Sequence, residues 1–175
     1  IEECFIHCAK ALIRSDFWNA KPRTAPDSTS GFVGATRFLA LATMDRRGLV
    51  DISPKGDPAG LLIRQDGARI TLAERPGNRL AFGYRNIIEQ KRVAALAVIP
   101  GSSAAAVIEG TARLVTDQAL LEAFTVEGKT PKLATVIDGA SAALRASAAL
   151  ERAAAWSTPI KPPTIDPAEA FVAHV

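Results

Sequence analysis

Two short stretches of this chain combine cations with backbone-exposing residues: Asp51-Ile-Ser-Pro-Lys-Gly-Asp57 and Glu74-Arg-Pro-Gly-Asn-Arg79. Ser53, Lys55, Arg75 and Arg79 supply hydroxyl, ammonium and guanidinium donors. Gly56, Gly77 and the neighbouring prolines favour turns whose N–H groups can point at a ligand. Each stretch closes a segment that reads as a β-strand. Two such corners, about twenty residues apart, suggest a pocket for a phosphorylated cofactor, because a phosphate needs fixed cations and convergent donors. Pro-Gly-Asn turns with nearby arginines are also common on surfaces, so the spacing alone leaves both readings open.

The elements that position these corners must fit in 175 residues, a length that suits one domain with a substantial core. An apolar fraction of 48% and a charged fraction of 22% are those of an ordinary soluble globule. No apolar run approaches the length of a membrane span, and Glu2 and Glu3 are wrong for a signal peptide. The expected location is cytoplasmic, with no membrane partner. The formal charge of +3 is mild, suited to an anionic cofactor and too dispersed for nucleic acid. Cys4 and Cys8 flank His7, but no second ligand pair accompanies them and His174 stands at the far end; reduced thiols and no metal site are expected.

Residues 2–18 place Phe5, Cys8 and Leu12 on one helical face. Residues 19–34 carry Pro, Ser and Gly and read as a linker. Strands follow at 37–44 and 49–53, and another pair, 60–64 and 68–73, flanks the hairpin signal Asp66-Gly67. A helix is expected over 79–90, strands at 92–99 and 104–115, a short helix from Asp117 to Phe124 with Thr116 or Asp117 as its cap, a last strand at 132–137 and an Ala-rich helix over 139–156. About six strands in hairpin order argue for a small antiparallel barrel with the 79–90 and 139–156 helices outside. The domain reading is an N-terminal helix (1–22), a linker (23–34), a barrel domain (35–160) and a tail (161–175).

A repeat also surfaces. Displaced by 138 positions, Ala11, Leu12, Arg14 and Trp18 match Ala149, Leu150, Arg152 and Trp156, and Lys21-Pro22 and Lys161-Pro162 follow. Ala-Leu-x-Arg also recurs by chance in amphipathic helices. If the repeat is real, residues 1–22 are the closing helix of an upstream copy and the chain, which begins at Ile1, is a fragment of a tandem protein.

Together the segments resemble the pyridoxamine 5′-phosphate oxidase-like, FMN-binding split-barrel family, in its uncharacterised bacterial branch. The resemblance runs through Phe38-Leu-Ala-Leu-Ala-Thr, Asp51 to Pro58, Glu74 to Arg79, Arg85-Asn-Ile-Ile88, Arg92-Val-Ala-Ala-Leu, Pro100-Gly101, Glu109 to Asp117 and Gly128-Lys-Thr-Pro-Lys-Leu133. Residues 7–18 resemble the helix that normally closes the same branch at its C-terminal end. The chain departs from the family pattern at Leu80 and Ala105-Ala106-Val107, where basic residues are frequent, and at Arg145, Ala146 and Ala148 of the later helix.

The resemblance implies a mainly β fold with flanking helices, a six-stranded antiparallel split β-barrel. It implies FMN at the interface of two barrels, hence a homodimer or a tandem partner barrel. Residues 1–18 are then expected to be helical and to pack across a partner barrel or the cleft, not onto the outer face of their own sheet. The implied cofactor residues are Ser53, Lys55, Arg75, Gly77, Asn78, Arg79, Asn86 and Lys132, with His7, Lys10 and Arg14 as weaker candidates. The implied activity is a flavin-dependent oxidation or reduction of a small substrate, in which the protein orients substrate and excludes water and needs no nucleophile of its own. The alternative is a flavin-binding module without turnover, or a dimerisation scaffold. Among the remaining polar residues, Arg85 and Arg92 read as solvated, and Glu109 reads as a buried carboxylate that needs Arg113 or Arg37 as partner.

Overall fold

The computed structural model of the chain describes residues 9–18, 24–77, 80–157 and 172. Seven strands form one antiparallel sheet in the order β2-β1-β5-β6-β7-β4-β3, with β1 Phe38–Met44, β2 Val50–Gly56, β3 Ile63–Asp66, β4 Arg69–Glu74, β5 Arg92–Val98, β6 Ala104–Val115 and β7 Leu133–Ala146. Five helices accompany them among the described residues: α1 Lys10–Ser15, α2 Thr29–Ala35, α3 Phe82–Gln90, α4 Gln118–Glu122 and α5 Ala148–Ala153.

The long β6–β7 hairpin is the spine. β5 pairs with β6 over Ala105 to Thr111, and β4 pairs with β7 over Leu133 to Ile137. The two half-sheets therefore hang from opposite ends of the hairpin. Between them a bulge at Glu109/Thr111 breaks the register, and such a bulge bends and twists a sheet. Gly110 sits in that bend because a Cβ there would lie 2.5 Å from Ile137 Cγ2. The curled sheet encloses the larger of two apolar clusters, the smaller being Phe17, Val98 and Ala105 with Leu12, Phe38, Leu150 and Trp156. Leu39, Leu41, Ala97 and Ile108 face Ile63, Ile70, Leu72 and Ile137, while α2 contributes Phe32 and Val33 and α3 contributes Ile87.

Several expectations are corrected. There are seven strands rather than six. Residues 139–146 extend β7 instead of opening a long helix; only Ala148–Ala153 is helical. Alanine favours helix intrinsically, but each of Ser141 to Ala146 has a partner on β6, and pairing overrides propensity. Within the expected linker, Ser28 caps α2 by accepting from the Gly31 N–H. Glu109 is exposed rather than buried, and Arg113 pairs with Asp138. Arg85 and Arg92 are exposed, as read. The Asp66-Gly67 turn joins β3 to β4, with Gly67 at φ +55°, and Asp117 caps α4 as expected.

The N-terminal helix is described only from Ala9 onward, so Cys4, His7 and Cys8 lie outside the described residues. α1 packs on β2 with Ala11 and Arg14 at the cleft, not on the outer face of the sheet. Arg14 Nε donates to the Gly56 carbonyl at 3.0 Å. The approach is so close that a Cβ on Gly56 would fall 2.1 Å from the Ala11 carbonyl oxygen. Only glycine admits the helix there. None of the described helices is long and apolar enough to cross a membrane.

Candidate functional site

The β1–β2 hairpin carries Ser53, Lys55 and Asp57 to the same end of the barrel at which β4 runs into Arg75-Pro76-Gly77. The start of α3 and the loop 126–133 complete the walls of a cavity of about 840 Å³. That volume is within the range of cofactor and substrate pockets, about 300–1,000 Å³. Buried Leu41, Ala73 and Ile87 make its apolar wall. Ser53, Lys55, Arg75, Gly77 and Lys132 all line it, as do Ala11 and Arg14 of α1.

The two corners are cross-paired. Lys55 Nζ of the first donates to Glu74 Oε2 of the second at 2.5 Å. Arg75 of the second donates through Nε to Asp57 Oδ2 of the first at 2.6 Å, and through Nη2 to the Phe124 carbonyl at 2.8 Å. Both acids are almost fully enclosed, and an enclosed charge needs a partner. Asp57 Oδ1 also faces Arg14 Nε at 3.2 Å, so one carboxylate sits between two guanidinium groups. Glu74 accepts two further bonds, from Tyr84 Oη at 2.9 Å and from Thr135 Oγ1 at 2.6 Å. Lys55 Nζ lies 5.2 Å from the Tyr84 ring centroid, within cation–π range. Burial first, and then the Glu74 carboxylate, push the Tyr84 phenol well above its ordinary value, so it remains a proton donor.

Of the residues expected at the site, five are brought together. Lys55 and Arg75, expected to present their donors to a phosphate, direct part of that capacity at Glu74 and Asp57. Asn86 is elsewhere: it is buried beneath α3 and donates from Nδ2 to Thr43 Oγ1 at 3.1 Å. Asn78 and Arg79 lie outside the described residues. Ser53 and exposed Lys132 line the cavity with no ion-pair or hydrogen-bond partner among the described residues.

Three site features escaped the sequence reading: the cross-pairing, Tyr84 and the entry of α3. Each corner holds acids as well as bases, Asp51 and Asp57 with Lys55 in the first and Glu74 with Arg75 and Arg79 in the second, a pattern that offered the cross-pairing as a signal. Tyr84 had none. α3 opens onto the cavity through Ala81, Phe82 and Gly83, and its N-cap residue, Ala81, has no polar side chain to cap it. The positive end of a nine-residue helix therefore points at the cavity.

Among the described residues, basic side chains on the cavity wall are Arg14, Lys55, Arg75, Lys129 and Lys132; acidic ones are Asp51, Asp57, Glu74 and Glu127. The surplus of one cation adds to the helix end. The arrangement suits a flat, largely apolar molecule with an anionic tail.

Residues 26–161 match the family model described as pyridoxamine 5′-phosphate oxidase. Among solved structures, the General Stress Protein 26 of Bacillus anthracis str. Sterne aligns with a TM-score of 0.51 at 12% identity, covering 67% of this chain and 95% of that one. HupZ of Group A Streptococcus aligns with a TM-score of 0.50 at 19% identity, covering 66% and 89%. A structure titled F420 Reductase aligns with a TM-score of 0.48 at 17% identity, covering 67% and 98%. No curated protein matches the sequence.

Proposed function

Since the chain belongs to the pyridoxamine 5′-phosphate oxidase family, we propose that its cavity binds FMN and that the protein is a flavin-dependent oxidoreductase acting on a small molecule. The observation that carries this reading is the meeting of the Ser53–Asp57 strand end and the Arg75–Gly77 turn on one cavity of about 840 Å³. The residues fit the group in size, polarity and charge. Leu41, Ala73 and Ile87 suit an aromatic ring system, while Ser53, Lys55, Arg75, the Gly77 backbone and Lys132 suit a phosphate that carries close to two negative charges. By sequence, Asn78 and Arg79 belong to the same turn. When bound, FMN supplies hydride and single-electron chemistry. The chain's own part is to hold the phosphate and to exclude water with its apolar wall, while Tyr84, whose hydroxyl proton is given to Glu74, fixes that carboxylate beside Lys55.

Lys55 and Arg75 also hold buried acids, so their substitution perturbs fold and ligand together. Ser53 and Lys132 separate the two. FMN titration followed by flavin fluorescence should give saturable binding to the wild type. Ser53→Ala and Lys132→Ala should each weaken it about tenfold to a hundredfold with unchanged thermal stability, as expected for loss of one hydrogen bond to a charged group. Absence of saturable FMN binding would leave the scaffold reading. FMN binding without reduction by NADH, NADPH or reduced deazaflavin would leave the non-catalytic module.

A further inference from the structure

Of the four acids on the cavity wall among the described residues, Asp51 alone is half-buried and unpaired. Glu74 accepts from Lys55, Tyr84 and Thr135, and Asp57 lies between Arg75 and Arg14. Glu127 is exposed at the tip of the 126–129 turn. Asp51 makes no hydrogen bond or ion pair among the described residues. Thr43, which faces it across the β1–β2 pair, is engaged by Asn86. A free carboxylate in the wall of an anion-binding cavity opposes the ligand, and departures of this kind from local electrostatic fit are expected at functional sites.

Strand geometry places this acid. Asp51, Ser53 and Lys55 alternate onto one face of β2, and at about 3.3 Å per residue the first and last lie about 13 Å apart. The cations gather at the Lys55 end. Arg75 and Arg14 meet there at Asp57, and Lys132 adjoins it because Leu133 pairs with Glu74. α1 closes the strand beyond that end, where the Ala11 carbonyl fills the space over Gly56. A long ligand whose phosphate is held at this corner therefore runs back along β2, and its far end meets Asp51. The start of α3 abuts the same carboxylate, since a Cβ on Gly83 would stand 3.7 Å from Asp51 Oδ2. A helix end carries about half a unit of positive charge, and the acid carries a full negative one. Among the described residues, this end of the cavity is net negative.

We propose that Asp51 sets the reduction potential of the bound cofactor, lowering it so that the cofactor gives hydride to the substrate more readily. The inference rests on the FMN reading above. Uptake of a hydride brings two electrons and one proton, so the bound ring gains one negative charge. That charge arises at the end of the cavity where Asp51 already stands. Like charges in an enclosed site repel, so Asp51 raises the free energy of the reduced cofactor more than that of the oxidised one. A charge beside the ring is one of the means by which a protein tunes a flavin. The substrate class that suits such a donor is an electron-poor conjugated acceptor, which takes the hydride from the cofactor and a proton from water. A nicotinamide or reduced deazaflavin supplies the hydride to the cofactor.

The potential is measured by slow reduction of FMN-loaded protein with dithionite against a reference dye, in wild type, Asp51→Asn and Asp51→Glu. Cooperative thermal melting is the folding check, and Asp51→Ser replaces Asp51→Asn if the latter fails it. Asp51→Asn removes the charge and keeps the shape. It should favour reduced over oxidised FMN at least about tenfold more than wild type does, a rise of about 30 mV for a two-electron couple. Asp51→Glu keeps the charge and should stay well inside that tenfold range. Oxidised FMN should bind Asp51→Asn no more weakly than wild type, the opposite of Ser53→Ala. An acid that served only the start of α3 would change the melting temperature and leave the potential where it was. An unchanged potential in Asp51→Asn, or an equal rise in Asp51→Glu, would overturn the inference and leave the FMN reading intact. A wild type that binds no FMN would overturn both.

Discussion

Asp57→Ala tests the cross-paired corners most directly. Asp57 is 1% exposed, and its two oxygens face Arg75 and Arg14. Among the described residues, truncation leaves the Arg75 guanidinium, whose side chain is 9% exposed, with the Phe124 carbonyl alone. Removing one partner of a buried ion pair costs about 3–5 kcal/mol, most of it the penalty of an uncompensated charge. The share owed to Arg14 is small, because its side chain is 29% exposed and solvent screens it to about 0–1 kcal/mol. A total of about 3–5 kcal/mol follows for Asp57→Ala, which in a domain of this size lowers Tm by roughly 6–20 °C. Urea unfolding at neutral pH should show the midpoint shifting with an unchanged slope. Arg75→Ala should cost a similar amount. The double variant should cost clearly less than the sum, since each single change already breaks the same pair. Losses below about 1 kcal/mol, or strict additivity, would mean that the pair is solvated and that these corners are ordinary surface turns.

Three further outcomes are expected. Tyr84 titrates above its ordinary value in the folded protein, so its contribution is complete below pH 10 and is lost as pH rises through the folded value; Tyr84→Phe should flatten the alkaline fall in Tm while costing about 1 kcal/mol at pH 7 from the lost bond to Glu74. An alkaline profile identical to wild type would refute that coupling. Gly110→Ala should destabilise by about 1–3 kcal/mol in chemical unfolding, since its Cβ meets Ile137 and the bend of the spine has no room to yield. A neutral effect would show that the bulge relaxes freely. The Asp138 carboxyl, bonded first by Arg69 and then by Arg113, should titrate below 3.8 by NMR and return toward that value in high salt, because the group and both its partners are open to solvent and screened; salt independence would contradict this.

How far the sequence revealed the structure can be read residue by residue. The Asp66-Gly67 turn, the strand at 104–115 and the Asp117 cap were legible because local chemistry decides them. β7 was not. Its segment 139–146 is alanine-rich, and only its partner on β6, some forty residues away at the far end of the strand, makes it extended. The helix at 29–35 was hidden by glycines and serines that suit a linker equally well. At the site, Ser53, Lys55, Arg75, Gly77 and Lys132 were found because corner chemistry is local. The roles of Lys55 and Arg75 were only half visible: an acid two residues from a lysine reads as a turn residue until the fold brings a second corner beside it. Asn86 misled because its position on α3 faces β1 rather than the cavity, a rotation that the helical pattern around it does not fix.

The cross-pairing also bears on how such a cavity can hold an anion. Two corners bearing only bases would repel each other, and the turns would splay until a ligand arrived. With Glu74 and Asp57 between them, the corners lock before any ligand is present. Lys55 has three donors and gives one to Glu74; Arg75 has five and gives one each to Asp57 and Phe124. What remains points from a rigid frame, so little ordering remains to be done on binding. Among the described residues the wall then carries a single surplus cation, and the start of α3 adds to the attraction without adding a mobile side chain. A cavity built this way favours an anion whose charge is spread over several oxygens above a compact one. Titration with FMN, riboflavin and inorganic phosphate should therefore rank FMN first by more than the sum of the other two contributions, because ring and phosphate are held by one preorganised frame. FMN and riboflavin binding equally would place the phosphate in solvent and remove these corners from the site.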